Sequence, residues 1–112
     1  MGRSLLSRAG GDPADRHAAA VNALRHAVFE LPGSTEPAVR AAAGSGGELA
    51  EPLGSYAATV RDRSYRITDT DLAGLTAAGL SDDDIFEITV AAAVGAALQR
   101  LDAGMRAIRV GG

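Results

Sequence analysis

The chain has 112 residues, 46% of them hydrophobic, and a formal net charge of -3. One domain of that length buries a single modest core, and the composition is that of a soluble globular protein. A mildly acidic chain without a basic stripe or aromatic platforms argues against a nucleic-acid partner, and the absence of cysteine excludes disulfides, thiolate metal sites and thiol redox chemistry.

Residues 1–11 read as a flexible lead-in. The segment MGRSLLSRAGGDP has a basic residue but only two consecutive apolar ones, too few for a signal-peptide core, so a cytoplasmic location is expected. A single helical domain is then expected over 12–110. Asp12 followed by Pro13 has the form of a helix start, with Pro at the first helical position. His17, Val21, Leu24, Val28 and Leu31 share one face, which predicts a helix over about 12–31, ended by Pro32-Gly33. A short helix over 36–43, opened by Ser34 or Thr35, leads to Gly44-Ser45-Gly46-Gly47, the expected hinge. A third helix is predicted over 52–66, with Leu53, Tyr56, Ala57, Val60 and Ser64 inward and Arg61, Asp62 and Arg66 outward. No run alternates with strand period, so the expected fold is all-α.

Residues 67–108 carry the strongest signals. Thr68 with Asp71, and Ser81 with Asp84, each form the S/T-x-x-acid pattern of a capping box, and Ile67 and Leu80 precede their caps as hydrophobic staples. These predict helices over 69–78 and 82–108, with Gly79 supplying the left-handed residue between them. In the last helix Phe86, Val90, Val94, Ala97, Leu101, Met105 and Ile108 make one apolar stripe. Ile85, Ile88, Ala92 and Gly95 make an adjoining one. A helix apolar nearly all round is expected to be buried, in its own domain or in an oligomer. From Val90 to Leu98 no side chain is polar, but a membrane span needs roughly 20 such residues. Small residues at 91–93 and 95–97 would let neighbouring helices approach closely. Asp82, Asp83 and Asp84 at the start and Arg100, Arg106 and Arg109 towards the end suit the helix dipole.

From Ser64 onward, the order Ala78-Gly79-Leu80-Ser81, Ile85-Phe86-Glu87 and Ala91-Ala92-Ala93 resembles the alkylhydroperoxidase D-like and carboxymuconolactone decarboxylase-like superfamily. The resemblance covers about the last 50 residues and is weaker over Pro52 to Arg63. It implies a single-domain helical bundle with a long buried C-terminal helix, and assembly into dimers, trimers or hexamers. In the redox members a C-x-x-C-x-x-x-H motif precedes this stretch. Counted back from Gly79, its first cysteine falls at Ser64, its second at Ile67 and its histidine at Asp71, while the assisting glutamate falls at Pro52, next to Glu51. All four positions depart from the pattern. Thiol peroxidase chemistry needs a nucleophilic thiolate and a resolving thiol, so that activity is expected to be absent.

Candidate catalytic residues each have a simpler reading. Asp71 stands at the histidine position as an acid or base, but its capping role explains it. Ser64 stands where the nucleophile would lie, yet a serine needs an adjacent base, and a bond back to the Val60 carbonyl is the alternative. Tyr65, with Arg63 and Arg66 as substrate-binding residues, would suit an organic anion held by a bidentate fork; they also suit a solvated surface. Glu87 on an apolar helix would be a proton-transfer group if burial raised its pKa, or the partner of an arginine. Asp102 and Arg106 form a surface i, i+4 pair. His17 and His26 lie on opposite faces of one helix, so no metal site is expected, and no cofactor. The glycines at 44–47 lack the context of a phosphate loop.

The leading expectation is therefore a non-peroxidatic member of that superfamily: an oligomer, or a partner of a related subunit, with a structural or regulatory role. Its alternatives are a cysteine-independent decarboxylase or lyase acting on a small lactone acid, and a small-molecule binding module. Leu101, Met105 and Ile108, or the face of the first helix, are the expected subunit contacts.

Overall fold

The computed structural model describes residues 13 to 111, with side chains to residue 109. Among the described residues five α-helices and one 3-10 turn follow in order: α1 (Pro13–Phe29), α2 (Pro37–Ser45), α3 (Leu53–Arg63), the turn Ser64–Arg66, α4 (Asp69–Ala77) and α5 (Asp82–Gly111). No strand occurs among the described residues, so they form an all-α fold. The lead-in 1–11 and the Asp12 cap lie outside the described residues.

Local chemistry fixes both ends of the α4–α5 connection. Thr68 Oγ1 accepts the Asp71 N–H at 3.2 Å while Asp71 Oδ2 accepts the Thr68 N–H at 2.9 Å. Ser81 and Asp84 repeat the exchange at 3.0 Å in each direction. Each box satisfies donors that a helix start otherwise leaves unpaired. Between them Gly79 has φ +101°, and the Leu80 N–H reaches back to the Leu75 carbonyl at 3.2 Å. This is a glycine-dependent helix stop.

The α5 helix is the spine, crossed most intimately by α2 and then by α3. At the α2–α5 crossing two backbones touch. A Cβ on Gly95 would stand 2.3 Å from the Gly44 carbonyl oxygen, and one on Gly44 would meet the Phe29 ring at 2.7 Å and the Ala91 carbonyl oxygen at 2.9 Å. Gly44 is buried in this contact, and Gly46 ends α2 in the left-handed region, both Gly46 and Gly47 donating N–H bonds to the Ala42 carbonyl. The expected hinge at 44–47 is instead a packing site and a helix cap.

Around the crossing the core comprises Ala43, Tyr56, Ala57, Val60, Leu75, Ile88, Ala91 and Ala92, with Phe29, Val28, Leu53 and Ile85 packed on its edge. Among large side chains only Leu75 and Ile88 are fully buried. The inward face of α5 is thus the stripe containing Ile88, Ala92 and Gly95. The other stripe points away from the core: Phe86 is 67% exposed and Ile108 69%, with Leu101 and Met105 also exposed. The reason is steric, because a backbone-to-backbone crossing admits only the small face of the helix.

Other boundaries differ from expectation. In α1 no residue is buried; His17, Leu24 and Leu31 are exposed, and contact with the core runs through Val28 and Phe29. Glu36, without a side-chain bond, precedes Pro37 at the start of α2, so neither Ser34 nor Thr35 is the cap. The α3 helix stops at Arg63, whose backbone (φ -151°, ψ 53°) turns the chain into the 3-10 segment and leaves Ser64 exposed. Arg61, expected outward, is half-buried and donates to the Ala43 carbonyl at 2.9 Å, while Arg100 donates to the Arg61 carbonyl at 2.8 Å.

The body measures 58 × 35 × 22 Å, with a radius of gyration of 17.5 Å. A compact domain of this length would have about 13 Å, so much helix surface is left uncovered. Substituting Gly95→Ala forces two backbones apart and is expected to cost about 3 kcal/mol in denaturant unfolding. A Cβ on Gly104 meets nothing. Gly104→Ala is therefore expected to be neutral or to stabilise by up to about 1 kcal/mol.

Candidate functional site

Two polar constellations stand out. The first surrounds Glu87, one turn into α5. Its carboxylate accepts the Ser34 N–H at 2.8 Å, the Thr35 N–H at 2.9 Å and the Thr35 hydroxyl at 2.6 Å. Consecutive N–H groups converging on an anion form a nest. Gly33 makes room for it, since a Cβ there would lie 2.7 Å from Glu87 Oε1. Beneath the carboxylate, Arg40 is 4% exposed. Its Nη1 donates to the Val28 carbonyl at 2.6 Å and its Nη2 to the Leu31 carbonyl, so a cation covers the unpaired carbonyls at the end of α1. Arg40 Nε has no hydrogen-bond partner and faces Glu87 Oε1 at 3.9 Å, close enough for charge compensation. Asp84 joins from the preceding turn by accepting the Ser34 hydroxyl at 2.6 Å.

These bonds favour the ionised carboxylates. Hydrogen bonds from the Thr35 hydroxyl and then from the Ser34 and Thr35 N–H groups push the Glu87 pKa down to about 2. The Asp84 pKa is lowered chiefly by the Ser34 hydroxyl. The Glu87 pKa is lowered and not raised, because the side chain is only partly removed from water and is saturated with donors, and the simpler reading of Glu87 as the partner of an arginine is the one Arg40 fits. Near neutral pH it is a fixed anion holding the α1–α2 loop to α5, not a proton carrier.

The second constellation is a cleft of about 250 Å³ between α3 and α4, lined by Pro52, Ser55, Thr59, Thr70, Asp71 and Leu75 among others. Its polar surface is mostly hydroxyl. Tyr56, also on the wall, bonds Thr89 Oγ1 at 2.6 Å, and Thr89 donates to the Ile85 carbonyl at 2.6 Å. Asp71 is the cleft's carboxylate, and one of its oxygens is engaged by the Thr68 N–H.

The other candidates do not join either group. Tyr65 is 81% exposed, and Arg63, Ser64 and Arg66 are exposed beside it on the 3-10 turn. Ser64 does not face inward; its carbonyl accepts the Ile67 N–H and holds the turn. Glu87 is gripped instead by the α1–α2 loop. Asp102 and Arg106 make their surface pair at 2.7 Å. Among the described residues no group of three potential metal ligands occurs, and no helix is long and apolar enough to cross a membrane. The residue that sequence reasoning missed is Arg40, whose signal is a lone charge within Pro37–Ser45, otherwise small or apolar. No known protein family, characterised protein or solved structure matches the chain.

The nest gives a defined pH dependence. The Glu87 pKa falls from an ordinary 4.5 to about 2 on folding. Its contribution is therefore complete above pH 4.5 and disappears as pH falls towards 2. In thermal melts, Glu87→Gln is expected to be less stable than the parent chain at pH 7 by roughly 2 kcal/mol. The difference between the two is expected to shrink steadily through the acid window.

Proposed function

We propose that this chain is a non-catalytic helical assembly protein that works by burying the outer face of α5 against another subunit. We further propose that it is a non-peroxidatic relative of the alkylhydroperoxidase D-like type. The observation that carries the reading is the outer face itself: Phe86, Leu101, Met105 and Ile108 are all exposed on one 30-residue helix. Exposed apolar surface of that extent marks an interaction site. The polar candidates support the same view from the other side. Glu87 is committed to the α1–α2 loop, Asp71 to its cap, and the arginines of the 3-10 turn to no shared pocket.

Copies of the chain, or a related subunit, are the fitting partners. The alternative of a lyase acting on a small lactone acid would need a cationic pocket, and the cleft that contains Asp71 is lined by hydroxyl groups without an arginine. Native mass spectrometry of the purified protein is expected to give a closed oligomer that Leu101→Asp converts to monomer, with helix content retained by circular dichroism. A monomer whose mass is the same with and without the substitution would refute assembly from copies of the chain and leave a related subunit as the partner to test.

A further inference from the structure

The outer face of α5 has an internal symmetry. Counting outward from Ala97, apolar or glycine positions recur four, seven and eleven residues away in both directions: Ala93 and Leu101, Val90 and Gly104, Phe86 and Ile108. Three turns of helix take about 11 residues, so these positions form one nearly straight row. Val90 is half-buried and the other six are exposed, with no charged residue in the row. From this geometry we infer that two copies of the chain pair through α5 in antiparallel fashion, about a two-fold axis at Ala97. The inference rests on the assembly reading above and fixes its partner, direction and register.

Residue sizes fit this register. The two-fold axis sets Leu101 against Ala93 of the second copy, Val90 against Gly104, and Phe86 against Ile108, so that large and small positions alternate across the middle. Small residues at the axis allow the helices to come close, and the two bulky ends close the row. Every contact then occurs twice, as in the isologous dimers that dominate soluble assemblies.

Two further features fit the antiparallel direction. Near the C-terminal half of α5, its Leu98, Leu101 and Met105 face His17, Ala18 and Val21 of α1 across an open groove of about 580 Å³. Phe86 projects from the opposite end of the row. Antiparallel pairing brings each exposed ring to the other copy's groove, beside Met105, and so gives both features an occupant. Charge follows the same direction, with Asp82, Asp83 and Asp84 in the first turn and Arg109 in the last. In the antiparallel pair each aspartate cluster lies beside the arginine of the other copy, and the two helix dipoles oppose. A parallel pair would crowd the two aspartate clusters together.

The absence of native cysteine makes the test clean. Spin labels are attached to Ala97→Cys and, separately, to Ile108→Cys in the full chain, and interspin distances are measured by double electron–electron resonance beside native mass spectrometry. The Ala97 labels are expected at the short end of the measurable range. The Ile108 labels are expected about 33 Å further along the axis from one another, the rise of 22 residues. Dimers in which both labels are equally close would overturn the antiparallel register while leaving the assembly reading intact. A monomeric mass for the unlabelled chain would overturn the inference and, with it, assembly from copies of the chain. As a second check, Ala97→Glu places like charges on the axis and is expected to dissociate the dimer without loss of helix content. A dimer that persists with Ala97→Glu would also overturn the inference.

Discussion

Backbone contact between Gly44 and Gly95 sets what every other part of the molecule can do. Two helices that meet without side chains between them lie closer than the usual 8–10 Å between axes. At the point of contact their inner faces are then restricted to alanine and glycine, as at Ala43, Ala91, Ala92 and Gly95. The core gains close contact and loses volume, which is why so few large side chains are completely enclosed. Away from the crossing Ile88 still fits inside, whereas Phe86, Leu101, Met105 and Ile108 stand on the opposite, exposed face.

The same crossing positions the Glu87 nest. Because α2 lies against the middle of α5, the loop preceding α2 must pass the beginning of α5, where Glu87 and Asp84 take hold of Ser34 and Thr35. Arg40, one turn into α2, is drawn beneath the carboxylate and extends to the last carbonyls of α1. Three elements are therefore joined by one charge pair, its carboxylate held by the Ser34 and Thr35 N–H groups and the Thr35 hydroxyl, and its guanidinium by the Val28 and Leu31 carbonyls. Removing one member of such a pair leaves the other charged and partly buried, which is costly. The arrangement keeps the carboxylate ionised near neutral pH and engaged by its donors.

Much of the helix plan was legible in the residues, and the reason differs by element. The two capping boxes and Gly79 are local signals, decided by side chains three residues apart, and local signals can be read without knowing the fold. The orientation of α5 was not legible, because a helix with apolar residues on opposite faces offers no contrast between an apolar side and a polar one to mark which faces inward. The size of the residues was the available clue: the small face is the one that packs. The glycines at 44–47 were misread for a related reason. Glycine permits flexibility and it permits contact, and only the partner at Gly95, 51 positions beyond Gly44 in the sequence, distinguishes the two. The α1 helix shows the converse error, since a regular apolar spacing from His17 to Leu31 leaves no residue fully buried when an open groove separates much of it from α5.

The positions at which the resembled redox family carries its motif can now be read physically. Ile67, at the second cysteine position, is half-buried against the core, where it staples the start of α4. Asp71, at the histidine position, closes the Thr68 cap. Pro52, at the position of the assisting acid, lines the same hydroxyl-rich cleft as Asp71, while Ser64 stands outside on the 3-10 turn. A thiol pair needs its two sulfur-bearing residues within about 7 Å and facing one another. Here one position is occupied by packing and the other is turned to solvent. Each of the four positions serves helix initiation, packing or chain reversal, so the local sequence is internally consistent without chemistry. Such agreement across levels is what specifies a single fold.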